Sequence, residues 1–230
     1  MNKDVHSLRY AVYCKEKGFL DPKNYPDGQE YDLYDDYSVN FAAYSKAGEI
    51  VGTVRLVIPK QSQRFPYQDF CQPNPDIALP APGMAAEISR LIIAPQFREK
   101  PDTSEFGFSS LLSRLTGRSG AKQPNPEYTR VAPAVDLSTS PRILLGLFRK
   151  MYRYSKENEV THWYASMERT LARMLNRMHF SFHQISQQVD YYGPVSLYLA
   201  SIEELESTLE AKNPTLLAWF RKSRGDNPPL

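Results

Sequence analysis

The chain has 230 residues and a mass of 26.4 kDa, a length that fits one large domain or two small ones. Its composition, 41% hydrophobic and 23% charged, supports a packed core and excludes a wholly disordered protein. The net charge of +2 argues against a general polyanion binder, so we expect no nucleic-acid partner.

No run approaches the roughly 18 apolar residues of a membrane-spanning helix, and Met1 is not followed by an apolar leader. We therefore expect a cytoplasmic protein without a transmembrane segment. The two cysteines, Cys14 and Cys71, are too few for a disulfide framework or a zinc site. The sequence accordingly predicts no bound metal.

The N-terminal half is predicted to contain one helix, an acidic loop and three strands. Apolar residues at helical spacing predict the helix over residues 4–18, and Gly18 ends it. The polar stretch 20–37 follows as a loop. The strands are predicted at 38–45, 50–58 and 85–94, the first two joined as a hairpin.

The C-terminal half begins with the Ser-rich and Pro-rich stretch 96–141, which gives little periodic signal. Ser140 and Pro141 then mark the start of an amphipathic helix that extends to about residue 158. The elements predicted after it are a strand at 161–167, a helix at 168–178, a strand pair around Tyr192-Gly193-Pro194, and helices at Ile202–Leu209 and Pro214–Lys222.

Helices alternate with strands here, while the early strands form a hairpin, so the predicted fold class is mixed α/β (α+β) with a central mixed sheet. We expect one domain over residues 1–200 and a helical extension over 201–230 that packs on the same domain.

Two arginines, Arg55 and Arg90, lie inside otherwise apolar strands, where an unpaired guanidinium is costly to bury. Acidic residues close enough in the sequence to pair with them are Glu30, Asp32, Asp35 and Glu87. One interpretation is a structural network of ion pairs. The other is a polar pocket floor in which one carboxylate stays available to accept a proton.

The spacing of Glu87 and Arg90 gives a further constraint. Residues three apart on a regular strand face opposite sides of the sheet. If both side chains reach one pocket, the strand must bulge or splay between them.

Basic residues concentrate in the stretch 142–177, with eight lysines and arginines against three acids. A solvated helix face is one explanation. A docking surface for an acidic partner is the other, and the residues selected for it are Arg149, Lys150, Arg153 and Arg173.

Several motifs in the same order resemble those of the LuxI-type autoinducer synthases. They are Arg9-x-x-x-Tyr13, Asp32-x-x-Asp35, Gly52-x-x-Arg55-Leu56 and Glu87-x-Ser89-Arg90. Longer strings, including Glu30-Tyr31-Asp32-Leu33-Tyr34-Asp35, resemble the N-acyl amino acid synthase branch, which also includes acyltransferases associated with the PEP-CTERM/exosortase system. The similarity covers residues 5 to about 200.

This resemblance implies a fold like that of the GNAT-type N-acetyltransferases, with a splayed sheet. It also implies transfer of a long acyl chain from acyl carrier protein to the α-amine of an amino acid, the chain lying in an apolar tunnel. The glycine-rich loop that would hold the diphosphate of coenzyme A is missing after Pro95. We therefore expect acyl carrier protein as co-substrate and no bound cofactor.

The resemblance also suggests roles for individual residues. Glu87 would remove a proton from the attacking amine, and Arg55 or Arg90 would bind the acceptor carboxylate or hold Glu87 in place. Backbone N–H groups freed at a bulge in the strand would hold the oxyanion. The residues expected to bind substrate or support the site are Arg9, Tyr13, Asp32, Asp35 and Ser89.

Two other functions stay open at this stage. Homoserine-lactone synthases use S-adenosylmethionine and typically carry a tryptophan after the first helix, where this chain has Phe19. The second alternative is a non-catalytic acyl-binding module, which would hold acyl chains without releasing a thiol from the carrier protein.

Overall fold

The structure is a computed structural model that describes residues 2–60, 62–98 and 141–222. The strands in these ranges are β1 (Ser38–Tyr44), β2 (Ile50–Val57), β3 (Ala85–Ile93), β4 (His162–Met167), β5 (His183–Gln184), β6 (Val189–Asp190) and β7 (Pro194–Ser201). The α-helices are α1 (Asn2–Tyr10), α2 (Pro141–Glu157), α3 (Arg169–Arg177), α4 (Ile202–Lys212) and α5 (Pro214–Arg221). The stretch 96–141, which gives little periodic signal in the sequence, falls almost entirely outside the described residues.

The strands form one mixed sheet in the order β1-β2-β3-β4-β7-β5, and β6 pairs with β7. β3 and β4 run parallel, and the other pairings are antiparallel. The predicted α/β class with a central mixed sheet is confirmed. No helix in the described parts of the chain is long and apolar enough to cross a membrane.

The main core lies on one face of the sheet. It contains Trp163 and Phe148, and apolar residues of α4 and α5 join it, among them Leu209 and Phe220. α2 packs against β1 and β2, and Gly52 permits this close approach. A Cβ at position 52 would lie 2.9 Å from the side chain of Ile143.

The first helix differs from its prediction. α1 ends at Tyr10, and the chain continues as a π-helix over Ala11–Glu16. π-helical turns are rare and often occur at functional sites. This one contains Tyr13, whose ring lies beside Arg90.

Candidate active site

Three arginines and three carboxylates from separate parts of the chain interlock at one side of the sheet. Arg9 comes from α1 and is fully buried. Its Nε donates a hydrogen bond to Glu30, and its two terminal nitrogens donate to Asp35 at 2.7 and 2.9 Å. Such a bidentate pairing fixes both position and orientation of the guanidinium.

Arg55 of β2 is also fully buried. Its terminal nitrogens donate to the two carboxylate oxygens of Asp32 at 2.6 and 3.1 Å, and its Nε donates to Ser89 Oγ at 3.0 Å. The cost of burying this cation is thus offset by charge-assisted hydrogen bonds.

The loop that supplies the carboxylates is ordered by its own hydrogen bonds. A 3₁₀-helix runs over Leu33–Tyr37, and Asp32 caps it by accepting the backbone N–H of Tyr34 at 2.9 Å. Asp35 accepts the N–H of Asp32 at 2.9 Å in return. This reciprocal capping aims both aspartates at the arginines.

Burial and the neighbouring arginines have opposite effects on the pKa values of Glu30 and Asp35, and the effect of the arginines is the larger. Burial by itself would raise the pKa of Glu30, whereas the Arg90 and Arg9 guanidinium groups bring the pKa below its usual value. The pKa of Asp35 is lowered for the same reason, by Arg9 and Arg55. The three arginines and three carboxylates of the network balance in formal charge.

Arg90 lies at the exposed edge of the network, with 22% of its side chain accessible. Its Nη2 donates to Glu30 and Asp32, both at 2.9 Å, and its guanidinium lies over the ring of Tyr13, 5.1 Å from the centroid. Within the described residues, its Nη1 donates no hydrogen bond. One terminal nitrogen of this cation is thus left for a ligand.

The predicted irregularity between Glu87 and Arg90 is confirmed. Arg55 pairs with Ser89 and Thr53 with Ile92, so β3 has one residue more than β2 between these pairs. Arg90 adopts a φ of 53°, a left-handed conformation that is uncommon for a residue other than glycine. This bulge turns the Arg90 side chain toward the carboxylate loop.

Glu87 is the one predicted acid that the arginines do not hold. Its side chain is 2% exposed, and it accepts the backbone N–H of Tyr67 at 3.0 Å. It forms no ion pair within the described chain, so the idea that Arg55 or Arg90 pairs with it directly is wrong. Burial raises the pKa of Glu87 to about 8, against the lowering effects of the Tyr67 N–H and of Arg55 and Arg90.

The arginines do not pair with Glu87 because they already donate to the carboxylates of Glu30, Asp32 and Asp35. Aromatic rings surround Glu87 instead. The Tyr67 ring lies 5.0 Å from the ring of Tyr164, the residue of β4 in register with Glu87, and Phe65 stacks on Tyr67 at 5.6 Å. A carboxyl group in such a setting keeps its proton at neutral pH and has a pKa suited to proton transfer.

Next to Glu87, the two central strands separate. The parallel pairing of β3 with β4 ends at Ile88 and Ala165, although both strands continue. The gap begins at Ser89, two residues beyond Glu87, and is bordered by the bulge. The splayed sheet implied by the resemblance is thus confirmed.

An arc of aromatic rings borders the site on its solvent side. It follows the order Tyr13, Phe19, Tyr192, Tyr191 and Phe70, with consecutive centroids 6.2, 5.1, 4.8 and 3.7 Å apart. Tyr191 and Tyr192 form the tip of the β6–β7 hairpin and are 42% and 47% exposed. The arc runs from the ring over Arg90 to the segment that holds Glu87.

The structure therefore brings together every residue predicted for catalysis or substrate binding: Arg9, Tyr13, Asp32, Asp35, Arg55, Glu87, Ser89 and Arg90. Two contributors were not selected as site residues. Glu30 was recognised only as a possible partner, although it is fully buried between Arg9 and Arg90. The backbone N–H of Tyr67 carries no sequence signal.

The apolar tunnel stays a prediction. A cavity of about 320 Å³ lies at the opposite end of β4 from the gap, and its lining includes Lys156, His162 and Glu206. Most of its lining residues are polar or charged, and it lies away from the gap, so we do not assign it to the acyl chain.

The predicted docking residues do not share one surface. Arg149 is 8% exposed, lies over the ring of Trp219 at 4.6 Å and donates to the carbonyl of Lys222 at 2.8 Å. Its selection for an exposed surface is wrong, because it anchors the C-terminal helix. Lys150 and Arg173 are exposed, and Arg153 is half-buried.

Comparison with known proteins identifies the fold. Residues 8–104 match the sequence model of the acetyltransferase (GNAT) domain, a segment that contains the whole charged network. No curated protein matches the chain by sequence.

Similar solved structures include TofI in a ternary complex with an inhibitor and MTA, with a TM-score of 0.58, 16% identity and coverage of 94% of this chain and 91% of TofI. BjaI, a CoA-dependent acyl-homoserine lactone synthase solved with SAM and isopentyl-CoA, gives a TM-score of 0.57, 15% identity and coverage of 95% and 90%. The acyl-homoserine lactone (AHL) synthase LasI gives a TM-score of 0.56 and 14% identity, with coverage of 92% of this chain and 88% of LasI. At these identities the likeness concerns the fold, which is that of a single GNAT-like domain.

Proposed function

We propose that this protein is an N-acyltransferase that moves a long-chain acyl group from acyl carrier protein to the α-amine of an amino acid. One observation carries the proposal: Glu87, a buried carboxyl group with a raised pKa and no ion pair in the described structure, lies beside the gap between β3 and β4. The GNAT domain match and the resemblance of the motifs support the same reaction class.

In this mechanism the acyl thioester enters the gap and the acceptor lies between Arg90 and Glu87. The acceptor carboxylate binds the Nη1 of Arg90, and its ammonium group approaches Glu87. Because the charged network is neutral, it accommodates a zwitterion without leaving a net charge buried.

Glu87 in its carboxylate form takes a proton from the ammonium, directly or through a water molecule. The amine nitrogen then attacks the thioester carbon, and the electron pair of the C=O bond moves to oxygen. As the C–S bond breaks, the second nitrogen proton ends on the departing thiolate. The products are an amide, a free thiol and one proton released to solvent.

Backbone groups at the bulge are suited to hold the oxyanion. Arg90 and Leu91 have no residue in register on β2, and β4 has already left β3 at this level. N–H groups free of strand pairing and fixed in space stabilise developing negative charge.

The direct test is an assay with purified protein, long-chain acyl carrier protein and a mixture of amino acids. We expect thiol release that depends on the amino acid, and an N-acyl amino acid in the mass spectrum. Thiol release without any acylated amine, or no thiol release at all, would overturn the proposal.

Acyl-homoserine-lactone synthesis is the second candidate, favoured by the likeness to the folds of TofI, BjaI and LasI. It requires S-adenosylmethionine as the amine donor. The same assay with S-adenosylmethionine alone distinguishes the two, because only this second reaction would then release thiol and form a lactone.

The carrier protein is proposed to dock on α3. Arg169, Arg173 and Arg177 are exposed and four residues apart, so they share one face of that helix. α3 begins two residues after β4 ends, which places this face next to the gap. An acidic partner would be attracted to it.

Reversing Arg169 and Arg173 to glutamate is expected to raise the KM for acyl carrier protein several-fold while kcat changes little, because only encounter is weakened. Added salt should mimic the effect in the unmodified protein. Lys46→Glu, at an exposed position in the β1–β2 turn, is the control for loss of a surface cation. Equal KM values in all three proteins would remove α3 as the docking site.

A further inference from the structure

A buried hydroxyl group without a partner lies on β4, one residue beyond the point where β3 and β4 separate. It is the Oγ of Ser166, which is buried and makes no hydrogen bond to any residue that the structure describes. Buried polar groups nearly always have a partner, and an unpaired one destabilises the folded protein. The position therefore suits a group that binds something the chain itself does not supply.

The strand geometry places this hydroxyl on the same face as Glu87. Tyr164 is in register with Glu87, and the rings of Tyr164 and Tyr67 meet over that face. Ser166 follows Tyr164 by two residues, so it points to the same side of the sheet. On β3, Ser89 follows Glu87 by two residues and also shares that side.

Ser89 and Ser166 thus lie on the two borders of the gap. The Ser89 hydroxyl is already engaged, since it accepts the Nε–H of Arg55 at 3.0 Å. The Ser166 hydroxyl makes no hydrogen bond within the described ranges of the chain. A carbonyl group that enters between the separated strands would meet the bulge on the β3 side and this donor on the β4 side.

We propose that Ser166 donates a hydrogen bond from Oγ to the carbonyl oxygen of the bound acyl thioester. This assignment rests on the acyl-transfer function proposed above. When the amine attacks and the C=O electron pair moves to oxygen, the Ser166 O–H would stabilise the negative charge from the side opposite the backbone N–H groups of β3. The hydrogen bond strengthens in the transition state, so its loss should reduce kcat.

A serine with only a structural role would stabilise the free protein and would not affect kcat. For Ser166 we expect the reverse on both measurements, Tm and kcat. Ser166→Ala removes a buried hydroxyl that has no partner within the described residues. We therefore expect the Tm of the free protein either to stay the same or to rise by up to about 3 °C. The same variant should lose about 100-fold in kcat, with the KM for acyl carrier protein unchanged.

The matched control is Ser155→Ala. Ser155 is a fully buried serine whose hydroxyl accepts the indole N–H of Trp163 at 2.9 Å, in the core and away from the gap. Its replacement should lower the Tm, because the indole N–H loses its partner, and should leave kcat unchanged.

Each outcome has one meaning. If the unmodified protein transfers no acyl group, the proposed function fails and takes this assignment with it. If the unmodified protein is active and Ser166→Ala keeps its kcat within twofold, only the assignment is overturned. A Tm that falls, or an effect confined to KM, also overturns it, since the hydroxyl then has a structural partner or contacts the carrier arm instead.

Discussion

Replacing Glu87 with glutamine is expected to lower kcat/KM for acyl transfer by about 100- to 10,000-fold while the protein stays folded. Glutamine has nearly the same shape and can still accept the backbone N–H of Tyr67 that Glu87 accepts at 3.0 Å. It cannot take a proton from an ammonium group. The loss would therefore fall on the chemical step.

The pH dependence provides an independent check. Since burial raises the pKa of Glu87 to about 8, the active carboxylate form becomes more populated as pH rises. We expect kcat/KM of the unmodified protein to increase with pH through an apparent pKa near this value, and Glu87→Gln to lack that increase.

Stability should move in the opposite direction. Between pH 4.5, the ordinary pKa of a glutamate, and about pH 8, the pKa of Glu87 in the folded protein, the folded protein keeps the Glu87 proton. The unfolded chain has lost that proton in the same pH range. The free energy of unfolding contributed by this group thus falls as pH rises across that window. Glu87→Gln should show a smaller loss of stability over the same range in denaturant titrations.

Glu49→Gln is the control, because Glu49 is an exposed acid of the β1–β2 turn. It should retain full activity and the unmodified pH profile. A Glu87→Gln variant that is folded and active within twofold would remove Glu87 from the mechanism and leave the charged network as a structural feature.

The second large effect concerns stability. Glu30→Gln is expected to lower the free energy of unfolding by about 3–5 kcal/mol, seen as a Tm lowered by roughly 10 °C. Glu30 is fully buried and is shared by Arg9 and Arg90. Without its charge, one guanidinium charge stays buried and uncompensated.

Acid should reveal the same contribution in the unmodified protein. The pKa of Glu30 lies below the ordinary 4.5 because Arg90 and Arg9 outweigh the effect of burial. Its contribution to stability is then complete above about pH 4.5 and lost as pH falls. Glu30→Gln should have a flatter stability profile on the acid side.

A matched control is Glu16→Gln. Glu16 also pairs with an arginine, Arg98 at 2.5 Å, but its side chain is 31% exposed. Such partly exposed pairs contribute about 0–1 kcal/mol. If Glu30→Gln cost no more than Glu16→Gln, the network would not stabilise the fold as described.

The strands and helices were largely predictable because their signals are local. Alternating apolar residues, Ser140 with Pro141 and the hairpin between 38–45 and 50–58 located most elements to within a few residues of their observed ends. The first helix was the exception. Its change to π-helical geometry at Ala11 depends on packing, which spacing alone does not reveal.

The sequence by itself determined which charged groups had to be buried together. An arginine inside an apolar strand needs a carboxylate partner, and this physical requirement identified Arg55, Arg90 and the acids near Glu30. Only the tertiary structure decided how the partners were distributed. Three carboxylates of one capped loop take all three arginines, and Glu87 is left on the aromatic side with its proton. That outcome depends on distances of a few ångströms between chain segments far apart in sequence, because hydrogen bonding and desolvation act over that range.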